Sequence, residues 1–398
     1  MTVDTIMHNN ITKLYLSNFL TGLVFWYGIE KLFMRSIGIS AFGISINSVV
    51  FLFVMLLLDV PAGVLADRWS RKYTLCIAIL MLAVGTAILG SSHSLAMYLV
   101  GTVVYALYVV MTSGTFQAIT YDSLKTQGRE KEYGRIQGAT YAAFLSGIFL
   151  ASLASGFIGK HISLSATYYI TLLPCLANLL VISTMAEPMY HKELTDRKYF
   201  AHMAKSFRMI SSTHVLRVLA LVSIAVTVVK GTQTEYGQLY YLGLHLDTTW
   251  VGVAYGFLAL AAAVGSIYAH KLGAKLVLLY PVAIVALATF ALLPSRWLII
   301  AFLTVALLTN AIQNQTVAQV QDRVSSTIRA TTISALSFTS NLLLVPVSLL
   351  FGYFTDRSNV FVAYRMVLAF AILALATLFV MGYAHFSSHL ANEENLVF

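Results

Sequence analysis

Four ionisable side chains stand inside apolar runs long enough to cross a bilayer: Glu30, Asp59, Lys230 and Glu235. A charge at bilayer depth costs at least about 2.5–3.5 kcal/mol on insertion scales, so such a group finds a partner, lines water or carries function. A carboxyl there can take up and release a proton, because burial favours its neutral form, which makes Glu30, Glu235 and Asp59 the candidate proton-coupling groups. Lys230 offers a counter-charge to an anion. Each also has a plain structural use. Glu30, in Trp26-Tyr27-Gly28-Ile29-Glu30-Lys31, can be an interfacial acid paired with Lys31 or Arg35 beside an aromatic belt. Asp59, in Leu58-Asp59-Val60-Pro61, can cap backbone groups freed by Pro61. In Lys230-Gly231-Thr232-Gln233-Thr234-Glu235 the lysine and the acid are about 140° apart around a helix, so they miss the usual i,i+4 pairing unless the helix breaks, and Gly231 loosens it there.

The elements that must position these groups follow from composition. Of 398 residues, 59% are hydrophobic and 10% charged, with a mean hydropathy of +0.80, far from the roughly 25% charged residues of a soluble domain. The apolar runs are unbroken and about twice the length of a barrel strand, so the spans are helices. About twelve crossings fit the rule of roughly 20 residues each: about 11–34, 42–66, 72–91, 95–120, 135–158, 164–186, 214–243, 249–270, 274–294, 297–320, 328–352 and 361–385. The longest polar interruption separates a first bundle, 1–186, from a second, 214–398, by a linker at 187–213. The expected fold is an all-α membrane protein of twelve transmembrane helices in two pseudo-symmetric six-helix bundles.

The net charge of +9 sits mostly in short loops, where it orients spans rather than binding nucleic acid. An inside amino terminus gathers Arg68, Arg71, Lys72, Lys125, Arg129, Lys131 and the linker's basic residues on one face, so both termini are expected in the cytoplasm. Cys76 and Cys175 fall inside spans and read as small core residues. The polar first ten residues lack a cleavable-signal pattern, so the first apolar run is expected to stay as a span. No nucleophilic triad, metal-ligand spacing or phosphate-binding glycine loop occurs, so no cofactor, metal or enzymatic activity is expected, and ATP is not the energy source.

A weak internal repeat is visible. Glu30 and Glu235 each stand eight residues before a glycine, Gly38 and Gly243, about half the chain apart. Such paired halves occur in many secondary transporters, with the substrate site between them near the midplane.

Between the second and third spans lies Gly63-Val-Leu-Ala-Asp67-Arg68-Trp-Ser70-Arg71-Lys72. It resembles the loop 2–3 signature of the major facilitator superfamily, Gly-x-x-x-Asp-(Arg/Lys)-x-Gly-(Arg/Lys)-(Arg/Lys), through Gly63, Asp67, Arg68, Arg71 and Lys72. Ser70 stands where the family usually has glycine. The resemblance implies a cytoplasmic gate in which Asp67 meets the amino end of span 11, near Thr327 to Thr332, and Arg71 pairs with Asp122. Both contacts are expected to need the approach of the two bundles and to favour an outward-open state. The plainer use of these charges is to stop the helices and satisfy the inside-positive bias.

The family architecture implies that spans 1, 4, 7 and 10 surround a central cavity. Their candidate substrate-binding residues are Trp26, Tyr27, Tyr105, Tyr108, Gln117, Lys230, Gln233, Asn310, Gln313 and Asn314. The last three share one helix face, where amides serve interhelical bonding as well as ligands. Rings, methionine and a few amides and acids suit amphipathic molecules better than sugars. The expected activity is therefore alternating-access, proton-coupled export of small amphipathic or drug-like compounds by a monomer in a bacterial inner membrane. The alternatives are a proton-coupled importer of a small metabolite, possibly anionic, with Lys230 as counter-charge, and a non-transporting receptor on the same fold. Span 4 lacks the arginine, and span 5, around Ser146-Gly147, lacks the Gly-Pro pair, of the family's drug antiporters.

Overall fold

The computed structural model describes the backbone of residues 3–68, 70–187, 208–211, 213–271, 276–325 and 329–394, and their side chains except at 3–9, 59–68, 270, 276–278, 330 and 382–394. The described residues are helical, with no strand among them. In order the helices are α1 (Val3–Gly22), α2 (Glu30–Ser36), α3 (Ala41–Arg68), α4 (Arg71–Gly90), α5 (Leu95–Thr112), α6 (Thr115–Lys125), α7 (Tyr133–His161), α8 (Ala166–Ser183), α9 (His214–Gly243), α10 (Thr248–Tyr268), α11 (Leu276–Leu292), α12 (Ile299–Arg323), α13 (Arg329–Arg357) and α14 (Val360–Glu394). Ten helical stretches among the described residues are long and apolar enough to cross a membrane, with α5 and α6 forming one of them. The broken pair α1–α2 and the shorter α11 complete twelve crossings.

Contacts divide the chain into two compact units. The first is Met1–Thr195 together with Gln238–Leu260, and the second is Asp196–Gly237 together with Ala261–Phe398. The seventh span therefore contributes its last residues, with the start of the eighth, to the first unit.

In the first unit α4 packs on α5 and α8, while α1 packs on α7 and α8. Leu75, Ile79, Leu82, Ile119 and Ile182 form its apolar core. The α1–α7 contact is a backbone contact. A Cβ added at Gly22 would lie 2.1 Å from the Phe144 carbonyl oxygen, and one at Gly147 would lie 2.4 Å from that of Phe19. Small residues permit such approach, which substitutes in lipid for the missing hydrophobic drive between helices. In the second unit α11 packs on α12 and α14, and α13 on α14. Outward-facing apolar side chains such as Phe53, Leu173, Leu180, Ile300 and Phe379 are more than half exposed, as lipid-facing residues must be.

Three local expectations are corrected. The first span is not one helix: α1 stops at Gly22 and α2 begins at Glu30. The fourth divides at Ser113–Gly114, where Gly114 takes φ +77°, a left-handed conformation that costs a glycine little. The seventh, expected to loosen at Gly231, runs unbroken as α9. There the glycine makes room for Leu344, whose Cδ2 would lie 2.6 Å from an added Cβ.

Candidate functional site

The site begins with the break in the first span. Irregular backbone at membrane depth is tolerated only where other protein groups satisfy it, because each unpaired polar group in hydrocarbon costs several kcal/mol. Three bonds do this here. The Phe25 N–H donates to Thr171 Oγ1 of α8 at 3.0 Å. Gln238 Nε2 of α9 donates to the Tyr27 carbonyl at 2.7 Å, and the Lys31 N–H donates to Gln238 Oε1 at 2.8 Å. Gly28 lies tight against α7, where an added Cβ would meet Ser155 Oγ at 2.3 Å.

The broken segment presents its side chains to a group of rings. Trp26, 2% exposed, stacks on Tyr168 with centroids 5.2 Å apart and planes 3° from parallel. It also meets Tyr27 and Tyr105 edge-on at 4.7 and 5.3 Å. Its indole nitrogen donates to Thr86 Oγ1 at 3.4 Å. The Tyr27 and Tyr105 hydroxyls share a hydrogen bond of 2.5 Å, and Tyr105 packs on Tyr108 at 5.6 Å. Tyr27 and Tyr105 are half-buried, whereas Tyr108 is buried. The rings that remain partly accessible are thus the phenols of Tyr27 and Tyr105.

Glu30 opens α2 and closes the cluster. Tyr98 Oη donates to Glu30 Oε1 at 3.0 Å, and Lys31 Nζ contacts Oε2 at 3.0 Å. With its proton directed at the carboxylate, Tyr98 accepts from Tyr168 across 3.1 Å. The Glu30 side chain keeps 19% of its surface and that of Lys31 keeps 4%. The expected Glu30–Lys31 pair is present, but it belongs to a chain of phenols within the first unit. The Tyr98 phenol and the Lys31 ammonium thus engage one oxygen each of the same carboxylate.

The other candidate residues fall in several places. Gln117 and Asn314 are exposed. Lys230 is half-buried in α9 and forms no hydrogen bond or ion pair among the described residues. Glu235 is half-buried in the same helix. Gln233, expected at a cavity, is 2% exposed and donates to the Phe302 carbonyl of α12, which makes it an interhelical bond. Asn310 donates to its own helix at Ala306 (2.8 Å), and Gln313 donates to Ser223 Oγ at 3.2 Å. Of the three amides on this face, Gln313 bonds to another helix, Asn310 to its own, and Asn314 is exposed.

The hairpin candidates are partly outside the described residues: so are the side-chain surroundings of Asp59, Gly63, Asp67 and Arg68, and so is Thr327. Arg71 does pair with Asp122. Both residues lie in the first unit, so this pair, expected to report the approach of two bundles, is a contact within one. Their side chains are 13% and 12% exposed. Lys72 contributes its backbone N–H, which with that of Arg71 is capped by the Glu187 carboxylate at 3.0 and 2.8 Å, while the Ser70 hydroxyl donates to the same carboxylate. An anion at the first turn of α4 satisfies orphan N–H groups and the helix dipole. Ser70, odd as a replacement for glycine, is the N-cap, its hydroxyl accepting from Tyr73 N at 3.2 Å.

Sequence alone does not single out Tyr98, Tyr168, Thr171, Gln238 and Glu187. Tyr98 precedes Tyr105 by two helical turns on one face, a visible signal. Thr171, Gln238 and Glu187 act on backbone groups distant in sequence, which no local pattern marks.

The fold is that of known transporters. The nucleoside transporter NupG superposes with a TM-score of 0.75 at 14% identity, covering 96% of this chain and 99% of that one. A bacterial homologue of the human lysosomal transporter Spinster, inward-facing and occupied, gives 0.75 at 16% identity over 95% and 96%. A D-xylose–proton symporter gives 0.71 at 12% identity over 94% and 97%. No curated protein matches the sequence significantly. The sequence profile of the Major Facilitator Superfamily matches residues 14–345, and the chain, a membrane transporter and not an enzyme, belongs to that superfamily.

Proposed function

We propose that this chain is a proton-coupled secondary active transporter that exports small amphipathic organic molecules by alternating access, with Glu30 as the proton-bearing group. The observation that carries this reading is the Glu30 carboxyl, held by Tyr98 and Lys31 at a helix break, beside phenol rings that remain partly accessible. A proton on Glu30 would cancel the charge that draws the Lys31 ammonium and leave a weaker acceptor for Tyr98, linking the state of the acid to the ring cluster. Aromatic faces with few free amides suit a molecule with a flat apolar body and one polar end. Such molecules enter bilayers unaided, so work is needed to move them out. In this reading both termini are cytoplasmic, residues 1–186 and 214–398 are the two bundles, and Gly63, Asp67, Arg68, Arg71, Lys72 and Asp122 serve the cytoplasmic gate. It acts as a monomer.

A second reading, proton-coupled uptake of a small anionic metabolite, is favoured by Lys230, a half-buried cation without hydrogen bond or ion pair among the described residues. The test is flux of a fluorescent cationic amphiphile and of a labelled carboxylate in proteoliposomes under an imposed pH gradient. Gradient-driven extrusion of the amphiphile that disappears in Glu30→Gln supports export. Carboxylate uptake abolished by Lys230→Gln would favour the second reading, and gradient-driven flux retained in Glu30→Gln would remove Glu30 from the coupling role.

A further inference from the structure

We propose that Gln238 is a positioning residue for Glu30, its carboxamide inserted as a wedge into the helical hydrogen bond that the first span would otherwise close. This rests on the reading of Glu30 as the proton-bearing group. In a continuous helix the Lys31 N–H would donate to the carbonyl four residues earlier, that of Tyr27. Here neither group has the other. Gln238 Nε2 takes the Tyr27 carbonyl at 2.7 Å and Gln238 Oε1 takes the Lys31 N–H at 2.8 Å. The carboxamide reproduces both ends of the missing bond, and a side chain inserted in the i→i−4 ladder is a recognised cause of a sharp helix break.

The chemistry of the wedge is restrictive. It must donate to a carbonyl and accept from an N–H within one planar group, which a neutral amide does and a carboxylate cannot. Gln238 is 1% exposed, so water does not take over either bond without a change of structure. The two main-chain groups it holds bracket Glu30: Tyr27 leads into the break and Lys31 follows Glu30 directly. Lys31 also supplies the ammonium on Glu30 Oε2. Fixing these two residues fixes the direction in which Glu30 leaves α2 and meets Tyr98. Phe25, bound to Thr171, and Trp26, stacked on Tyr168, hold the other end of the break. The segment therefore stays open when the wedge is lost, with its Lys31 N–H deprived of the Gln238 acceptor. Around the wedge the charged groups are Glu30 and Lys31, and the titratable rings are Tyr27, Tyr98, Tyr105 and Tyr168, with Tyr255 of α10 near Tyr27.

Two readouts test this. Amide hydrogen exchange of the purified protein follows residues 23–31 without reference to transport. Gln238→Leu is expected to speed exchange at Lys31 at least about tenfold, the factor for one lost buried hydrogen bond. Gln238→Glu should keep that amide protected, since its carboxyl still accepts. Transport gives the second readout. A protonated carboxyl copies the amide's donor and acceptor, whereas the ionised form turns an anion on the Tyr27 carbonyl. Flux of Gln238→Glu relative to wild type should therefore approach one at low pH and fall as pH rises, with Gln238→Asn, too short to span both groups, impaired at every pH. Unchanged exchange in Gln238→Leu, or a Gln238→Glu flux ratio independent of pH, overturns the inference. Should the leucine variant fail to fold, the glutamate ratio decides alone. Wild-type flux that ignores the pH gradient would instead sink the functional reading, and the exchange result would still decide whether Gln238 holds the break.

Discussion

Two aromatic clusters, one in each unit, use the same residue type in opposite ways. In the first unit the phenols of Tyr98, Tyr168, Tyr27 and Tyr105 bind one another and an acid. In the second unit Tyr236 binds the carbonyl and hydroxyl of Ser348 at 3.2 and 2.8 Å. There Tyr364 donates to the Thr232 carbonyl at 3.4 Å and Tyr280 to that of Ala371 at 3.1 Å, while Tyr236 stacks on Phe351 at 4.2 Å. Phenols turned to the backbone join helices. Phenols turned to a carboxyl tie a ring cluster to an ionisable group, the one proposed above to carry the proton. The difference follows the backbone: the first cluster is built on a broken helix that projects Glu30 inward, and the second on the continuous α9.

The largest effect expected from that contrast is on transport. Glu30→Gln should reduce gradient-driven flux to the level of empty liposomes, whereas Glu235→Gln, its counterpart in the repeat, should leave most of it. A reversal, with Glu235 essential and Glu30 dispensable, would move the coupling site to α9 and dissolve the comparison. Next in size are the glycines of the two helices. Gly22→Ala places a Cβ 2.1 Å from a main-chain oxygen and should cost about 1–3 kcal/mol through overpacking. Gly231→Ala meets only the end of Leu344 and should be neutral or stabilise α9 by up to about 1 kcal/mol from helix propensity. Thermal unfolding in detergent measures both. Equal losses would show that α9 is as tightly held at Gly231 as α1 is at Gly22.

How much of this was legible beforehand differs between fold and site. Twelve crossings and the family could be read because apolar run length and the Gly63–Lys72 pattern are local properties of the chain. Glu30, Trp26, Tyr27, Tyr105 and Tyr108 were also visible as polar or aromatic residues in apolar runs. The break that brings them together was not. Gly28 and Gly231 look alike in sequence, each shortly before an acid, and the loosening was expected at the wrong one. What decides is the partner supplied from elsewhere: Thr171 and Gln238 stabilise the open backbone of the first span, while α9 needs no such help. The amides of α12 illustrate a related limit, since a polar face does not announce whether a neighbouring helix, its own backbone or a ligand will use it. Ser70 illustrates the converse. It departs from the family's glycine, yet as an N-cap beside Glu187 it has its own physical rationale.

A finer test separates the two kinds of phenol. Tyr98→Phe removes the phenol that donates to Glu30 Oε1 and should lower gradient-driven flux severalfold with little loss of stability. Tyr364→Phe removes a bond to the Thr232 carbonyl and should cost about 0.5–1.5 kcal/mol in unfolding, with flux retained. Loss of flux in both variants would mean that the second cluster also serves transport.

The smallest expected effect lies where the first unit's attachment reaches its surface. Lys160, in the last turn of α7, pairs with Asp247 before α10 at 3.0 Å, and both side chains are nearly half exposed. The Lys160 ammonium, and then the Thr249 N–H, hold the Asp247 carboxyl below its ordinary value. A carboxyl depressed in the folded state stabilises the fold above its unfolded pKa, near about 3.9, and that contribution is lost as pH falls through the lower, folded value. Exposure and salt screen the pair. Asp247→Asn should lower Tm by less than about 2 °C at pH 7, the difference shrinking in high salt and vanishing in acid. If instead the loss equals that of Gly22→Ala, the surface pair would be a principal hold on residues 238–260 in the first unit. The wedge at Gln238 would then depend on a loop, and its deuterium protection should fall in Asp247→Asn as well.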